Sequence, residues 1–590
     1  MPRAAKIAVM GAATVIALIA VVLVSAPGPS ASARASWSGQ GKGIRKIQHV
    51  VVIMQENRSF DQYFGTYPGL PASLGLDVRE CISQPTPTAS SFCQRPWHSS
   101  NDENFGGPHD NAAFVNDLNG GKLDGFYASA LDTPVCTSLV GAGCRWPGII
   151  DVMSYHDGSD IPNYWAYANH FVLQSRMYEP VSSWSLPAHL FMMSGWSALC
   201  TGQDQPLTCT SAIGPGQDQP SPTITQAGQP VPDYSWTDIT WLLDHHQPTP
   251  VTWAYYVAPG TIPDCSNGAM ACTPPNDSLN PGTPSIWNPL PYFDTVRLDN
   301  QLRNIQSIDN FFKSITNPGC SLPNVSWFTP SDPLSEHPPE LISNGVAYVT
   351  GVINAIMRSS CWDSTAIFLT WDDWGGFYDG NTPPVIDANG DGFRVPGLVI
   401  SPYAKRGHID NRTLSHDAYL KFIEDDFLGG ERICVIHGSD GTSTTSNQGC
   451  RSDDGRADNR PTTRENSPGL GNLRSDFDFS QQPLPPLILP QYPKTDLVAP
   501  PTATINSPKQ GAAFKQHQVV NTSFSCADNQ TLPGDGGIAP GIQTCTDSNG
   551  TTGGSGQLDT SKIGISWYVV QAISKDGSSA TAAIWYRVRP

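Results

Sequence analysis

Two acidic doublets stand directly after apolar runs: Glu56-Asn57 follows VVVIM and Gln55, and Asp372-Asp373 follows AIFLTW. Short runs of Val, Ile, Phe and Trp read as strands covered on both faces. Both doublets therefore fall at strand carboxyl ends, where open α/β sheets place their ligands. Several oxygen donors meeting at one sheet edge require a cation between them. Hard oxygen ligands suit Mg, Ca, Mn or Fe better than metals that prefer thiolate, and zinc is also compatible. Either doublet alone is equally compatible with an exposed turn acid or a helix cap. Three histidines in polar loops, two of them flanked by proline, extend the set: His109 in Pro-His-Asp, His337 in Glu-His-Pro-Pro and His416 in Ser-His-Asp. An imidazole so placed can move a proton near neutral pH, although a single loop histidine is more often a surface or cap residue.

The elements that must position these residues alternate. Strands are expected at 50–54, 251–257, 325–329, 366–371 and 395–401. A helix is expected at 347–358, with Val349, Val352, Ile353 and Ile356 on one face. Another is expected at 417–428, with Tyr419, Leu420, Ile423 and Phe427 inward and Ser415 or His416 at its start. The mixture is that of an α/β domain. The 54 Gly and 53 Pro among 590 residues argue against a bundle or coiled coil, while 39% hydrophobic residues and 16 Trp can fill a large core. The net charge of −18 repels polyanions, which excludes nucleic acid as the expected partner. A substrate carrying phosphate would need a local attractor such as a metal ion.

Residues 1–35 read as an export signal: Arg3 and Lys6, an apolar run over 7–24, and Ala31-Ser32-Ala33 before the expected cut, with an uncleaved anchor as the alternative. The chain is thus expected to be secreted or held at the cell surface. The 14 Cys fall into near neighbours, 81/93, 136/144, 200/209, 265/272, 320/361, 434/450 and 526/545, and seven local disulfides are expected. Residues 491–502 read as a linker. Beyond it, over 503–590, runs such as VVNTSFSC, ISWYVVQAI and TAAIWYRV alternate between Gly, Asn and Asp turns. They predict a small all-β sandwich stapled by Cys526 and Cys545. It resembles the immunoglobulin-like modules of secreted bacterial enzymes, which implies a spacer or a contact with a cell surface or glycan.

The stretch QHVVVIMQENRSFDQYFGTYPG at 48–69 resembles the opening motif of the bacterial phosphoesterase family that contains non-haemolytic phospholipases C and secreted acid phosphatases. The resemblance continues in family order through PHD (108–110), NGGKLDGF (119–126), DIPNYW to LPAHLFMMSG (160–195), VSWFTP with SEHPPE (325–340) and TWDDWGGFYD (370–379). It goes on through RVPGLVISPYAKRG (394–407), SHDAYLKFIEDDF (415–427) and DFDFSQQPLPPLILP (476–490).

The resemblance implies a catalytic domain over 45–490 with an alkaline-phosphatase-like α/β sandwich. It implies a divalent metal ion held by Glu56, Asn57, Asp372 and Asp373, and Ser185 as nucleophile. A phosphate ester, which includes a phospholipid, would be cleaved through a phosphoserine, with His109, His337 and His416 around the phosphoryl and leaving groups. Ser185 precedes Pro187 and LFMM, so it stands at a helix N-terminus, as a plain capping serine also would; Ser182 and Ser183 are its rivals. The chain departs from the family pattern at Ser183-Trp184, Ala188-His189 and Trp374. Those departures leave a second reading, a catalytically altered binding or adhesion protein on a phosphoesterase scaffold. Two motifs fall short: Leu199 replaces the last Gly of G-x-S-x-G around Ser197, and Asp387-Ala-Asn-Gly-Asp-Gly has Leu398 where a calcium loop needs Glu.

Overall fold

Strands buried on both faces build the centre of the molecule. The computed structural model describes residues 41–84, 92–132, 151–200, 206–212, 218–220, 223–226, 229–234, 236–258, 282–317, 319–387, 390–433, 464–498, 501–528, 541–575 and 579–590. The expected export segment and the Cys136, Cys144, Cys265, Cys272, Cys434 and Cys450 pairings lie outside them. Eight strands form the main sheet: β1 (His49–Gln55), β2 (Val172–Gln174), β3 (Trp253–Val257), β4 (Ile305–Ser307), β5 (Val325–Phe328), β6 (Thr365–Trp371), β7 (Gly397–Ile400) and β8 (His408–Asp410). Their order is β4-β3-β5-β1-β6-β7-β2-β8. Every neighbouring pair is parallel except the two that β7 makes. In β6 all seven residues are buried, and in β1 all but His49, as expected of strands with both faces covered.

The five expected strands are all present. The three that sequence reading did not single out, β2, β4 and β8, are three residues each, too short for a two-residue period to register. The helices that bear on the site are α1 (Phe60–Phe64), α2 (Asn111–Leu118), α3 (Ser185–Ser194), α4 (Ile342–Arg358) and α5 (Asp417–Phe427). Helix α4 starts five residues before the expected 347. Its first turns carry Ser343, Asn344 and Gly345, all poor helix formers. Gly345 is required there, because a Cβ on it would lie 2.1 Å from the Glu336 side chain.

Disulfides join Cys81 to Cys93, Cys320 to Cys361 and Cys526 to Cys545, and Cys209 is also disulfide-bonded. The stretch expected as a linker lies along the body as far as residue 498: Leu497 is buried, and the Asp496 and Val498 amides donate to the Ser159 and Ser100 carbonyls at 2.9 and 2.7 Å. Beyond it come β9 (Thr502–Ser507), β10 (Ala513–Lys515), β11 (Asn521–Ala527), β12 (Ile542–Asp547), β13 (Ser555–Gln557), β14 (Gly564–Ser574) and β15 (Ser579–Arg589). They form two small sheets, β9-β11-β13 and β10-β15-β14-β12, around Phe524, Tyr568, Val570, Tyr586 and Val588.

Among the described residues no helix is long and apolar enough to cross a membrane. Phe368 on β6 is fully buried and its ring meets Tyr419 and Phe422 of α5 with centroids 5.4 and 5.1 Å apart. Phe368→Ala is expected to cost about 3–5 kcal/mol in a denaturant melt; a loss below about 1 kcal/mol would contradict this packing.

Candidate active site

Strands β1 and β6 are neighbours in register, with Gln55 opposite Trp371. The residues that follow each strand, Glu56-Asn57 and Asp372-Asp373, therefore emerge side by side about 5 Å apart. The two turns are sewn together. The Asn57 amide donates to Asp372 Oδ1 at 2.8 Å, Asn57 Nδ2 donates to Asp373 Oδ1 at 2.8 Å, and the Arg58 amide donates to the Asp373 carbonyl at 3.0 Å. Asn57 takes a left-handed backbone with φ 60°, which asparagine tolerates better than most residues. Gly375 donates its amide to Asp373 Oδ1 at 2.7 Å and has φ 61°. A Cβ there would lie 2.6 Å from the Asn57 carbonyl oxygen.

Ser185 is the first residue of α3, where unpaired backbone N–H groups and the helix dipole favour negative charge. Its Oγ lies 3.4 Å from Asp373 Oδ2. Hydrogen bonding to this hydroxyl pulls down the pKa of Glu56, Asp372 and Asp373 alike, so it sits among all three carboxylates. One turn later on the same face, His189 Nε2 is 3.0 Å from Glu56 Oε1.

The other histidines close the site from two sides. His416 caps α5, fully buried, with Nε2 3.5 Å from Thr370 Oγ1, and it feels the Asp372 charge. The His109 and His337 rings meet edge to face with centroids 5.9 Å apart. Each is tied through Nδ1 to a carbonyl, that of Gly107 at 2.9 Å and that of Pro338 at 2.8 Å. Burial, followed by the neighbouring His109, lowers His337 to about 4; burial lowers His416 to about 3 and His189 to about 4. These three rings are neutral at pH 7.

Three buried carboxylates so close cannot all stay charged without a positive partner. Burial first, then Asp372, pushes Glu56 far above the carboxylate range, and the same two causes raise Asp373. Asp372 stays ionised against its burial, because Glu56, His189, Ser185 and the Asn57 amide favour its charge. Glu56 Oε2, Asn57 Oδ1 and Asp372 Oδ2 are buried with no hydrogen-bond partner. Oxygens of Glu56 and Asp372 and a nitrogen of His189 lie within 4.8 Å of one another. The oxygen-rich donor set, its orphaned atoms and its lack of any arginine or lysine ion pair among the described residues fit a divalent cation.

Residues 47–428 match the Phosphoesterase family. The chain belongs to that family. The chain is 26% identical over 504 residues to a non-haemolytic phospholipase C of Burkholderia pseudomallei, covering 78% of this chain and 62% of the relative. It is 25% identical over 441 residues to phospholipase C A of Mycobacterium tuberculosis, covering 65% and 73%. The chain thus spans about three fifths of the Burkholderia protein's length. A solved Vibrio parahaemolyticus protein of the alkaline phosphatase superfamily aligns at 12% identity over 64% of this chain and 66% of its own, with a TM-score of 0.26, too small an overlap to add to the topology above.

Sequence reading alone gave His189 no role in the site beyond a departure from the family pattern, although its i+4 spacing from Ser185 on an apolar helix was a usable signal. It also missed Glu336, whose carboxylate accepts from Tyr63 at 2.8 Å, Tyr164 at 2.5 Å and Trp371 at 3.1 Å, fixing the residue before His337 to the residue before Asp372. Nothing local in the sequence marks those three partners. Trp184, Trp196, Trp371 and Trp374 near the site are all buried and belong to the core. Asp387 and Asp391 of the half calcium loop pair instead with the Arg464 guanidinium, at 3.3 Å and 3.0 Å.

Gly375→Ala should leave the fold intact by circular dichroism and weaken Mn²⁺ or Zn²⁺ binding about 10- to 100-fold in calorimetric titration. Unchanged affinity would show that the turn does not hold the donors.

Proposed function

We propose that the chain is an exported hydrolase of phosphoric esters that uses Ser185 as nucleophile beside a divalent ion held by Glu56, Asn57, Asp372 and Asp373. The observation that carries this reading is one hydroxyl, at a helix N-terminus, set among three buried carboxylates. When bound, the ion supplies Lewis-acid stabilisation of phosphoryl charge and lowers the pKa of a nearby hydroxyl. Ser185 Oγ attacks phosphorus in line, forming the Oγ–P bond as the ester P–O bond breaks. Water then attacks the phosphoserine, and the Oγ–P bond breaks to return the serine. The N–H groups of the first turn of α3 hold the phosphoryl oxygens.

Neutral His337 and His416 suit hydrogen bonding to those oxygens and receiving the serine proton. His109, held through Nδ1 by the Gly107 carbonyl, suits protonating the leaving alkoxide through Nε2. The relatives named above are phospholipases C, which extends the proposed substrate class to phospholipids. The 1–35 segment and the cysteine pairing support an oxidising compartment outside the cytoplasm, and 503–590 is assigned as an immunoglobulin-like module that meets a cell surface or glycan.

Ser185→Ala and Asp372→Ala are each expected to cut kcat/KM for a chromogenic phosphate ester by roughly a thousandfold or more. Acid-quenched wild-type enzyme should yield a phosphorylated peptide containing Ser185 by mass spectrometry. Full activity in both variants would sink the assignment, and phosphatidylcholine compared with a soluble monoester would set the substrate class.

A further inference from the structure

A second cluster shares no residue with the active site. His98 ends a two-residue strand, Trp97–His98, that pairs with Ser154–Tyr155, and the loop after it carries Asp157 and Asp160. His98 Nε2 is 2.7 Å from Asp160 Oδ2 and 3.8 Å from Asp157 Oδ2. The three ligand atoms lie within 4.8 Å of one another.

The Asp160 side chain is fully buried, yet its Oδ1 has no hydrogen-bond partner. Its Oδ2 accepts from the Asp157 amide at 2.9 Å and is faced by fully buried His156, whose Nδ1 is 3.7 Å away and unpartnered. The hydrogen-bond network sets the tautomer of that ring. Asn104 Nδ2 donates to the Glu103 carbonyl at 3.2 Å, so Asn104 Oδ1 is the acceptor for His156 Nε2 at 2.9 Å. Nε2 then carries the proton, and Nδ1 turns a lone pair toward a buried carboxylate. No lysine or arginine ion-pairs with Asp157 or Asp160 among the described residues. A buried carboxylate with one unpartnered oxygen, faced by imidazoles and no guanidinium, is open to a cation.

We propose that His98 Nε2, Asp157 Oδ2 and the Asp160 carboxylate bind one divalent transition-metal ion of the zinc class, with His156 behind Asp160. The mixed nitrogen and oxygen donors select zinc, manganese or cobalt over magnesium or calcium. His98 ligates through Nε2 with its proton moved to Nδ1. His98 is half-exposed and gives the ion an entry path from solvent. The role is structural: the loop it clamps carries Ser159, which holds the Asp496 amide, and Ser99 and Ser100, beside His98, hold the Tyr155 carbonyl and the Val498 amide. The ion would tie the segment leading to the C-terminal sheets onto the body.

The test uses full-length protein stripped by chelation and titrated with Zn²⁺, read by calorimetry and elemental analysis. Asp372→Asn disables the active-site ligand set, so zinc retained by that variant reports on the second cluster alone. One equivalent is expected there, lost in Asp372→Asn/His98→Ala and in the milder Asp372→Asn/Asp157→Asn. The Tm of Asp372→Asn should climb with the logarithm of zinc concentration and that of each double variant should not. His98→Ala alone should keep phosphate-ester hydrolysis. Retention of the same equivalent by both folded double variants, or no zinc bound by folded Asp372→Asn, overturns the proposal. Equal stoichiometry in wild type and Asp372→Asn would count against the active-site ion instead and leave this site standing.

Discussion

Everything at the active site depends on the in-register parallel pairing of β1 with β6. Parallel neighbours end on the same side of a sheet, and Gln55 opposite Trp371 makes them end at the same level. Two carboxylate-bearing turns are thereby forced together in a place from which water is excluded. A slip of one residue along this pair would turn one doublet to the opposite face. The strands can carry that load because they are packed on both sides, so the register is fixed by burial of every residue from Val50 to Gln55 and from Thr365 to Trp371. Desolvation then does the chemical work: it makes the site demand a proton or a cation, and it holds His189, His337 and His416 neutral.

The sheet was readable from the sequence because its central strands are continuous apolar runs, and the acidic doublets were readable because they break those runs abruptly. The rule that sheet ligands gather at strand carboxyl ends marked residues 56, 57, 372 and 373 as candidates, but either doublet alone also fitted a turn acid or a helix cap, and only the resemblance to the family made them a ligand set. Ser185 was not separable from Ser182 and Ser183 by pattern, since a serine before Pro187 caps a helix whether or not it reacts; only resemblance to the family singled it out. The structure adds the contact with three carboxylates. The supporting residues were the least legible. Glu336 acts through Tyr63, Tyr164 and Trp371, which are distant in sequence, and no periodicity announces a convergence made by the fold alone. The start of α4 was hidden for a related reason: Gly345 weakens the helical signal locally because tertiary packing needs room for the Glu336 side chain.

The second layer explains how short, irregular turns hold reactive groups at fixed separations. Gly375 and Asn57 accept left-handed backbone angles, so that Asn57 can hydrogen-bond both carboxylates of the β6 turn while Gly375 hydrogen-bonds Asp373 within its own turn. Arg58, fully buried, donates to the Asn57 carbonyl at 2.8 Å and to Tyr63 at 2.9 Å, and Tyr63 donates in turn to Glu336. A chain of charge-assisted bonds therefore runs from the β1 turn to the loop that carries His337. Such networks are stiff because each bond orients the next member, and breaking one leaves a buried polar group unpaired.

A chain with a net charge of −18 must bury many acids, and the way it neutralises them distinguishes scaffold from site. Arg394 sits between Asp61 and Asp379, Arg412 between Asp410 and Asp476, and Arg464 among Asp387, Asp391 and Asp417. Arg297 and Arg432 do the same for Asp233 and Asp294, and for Glu424 and Asp425. A guanidinium is a permanent charge with a fixed fork of donors, and it closes a cluster for good. Around Glu56, Asp372 and Asp373, and again around Asp157 and Asp160, the partners are imidazoles. A neutral imidazole cannot cancel a carboxylate, but it can share a metal ion with one. Clusters furnished with histidine where the same chain elsewhere uses arginine are suited to an exchangeable cation, which sets the two proposed sites apart from Asp387 and Asp391, already paired with Arg464.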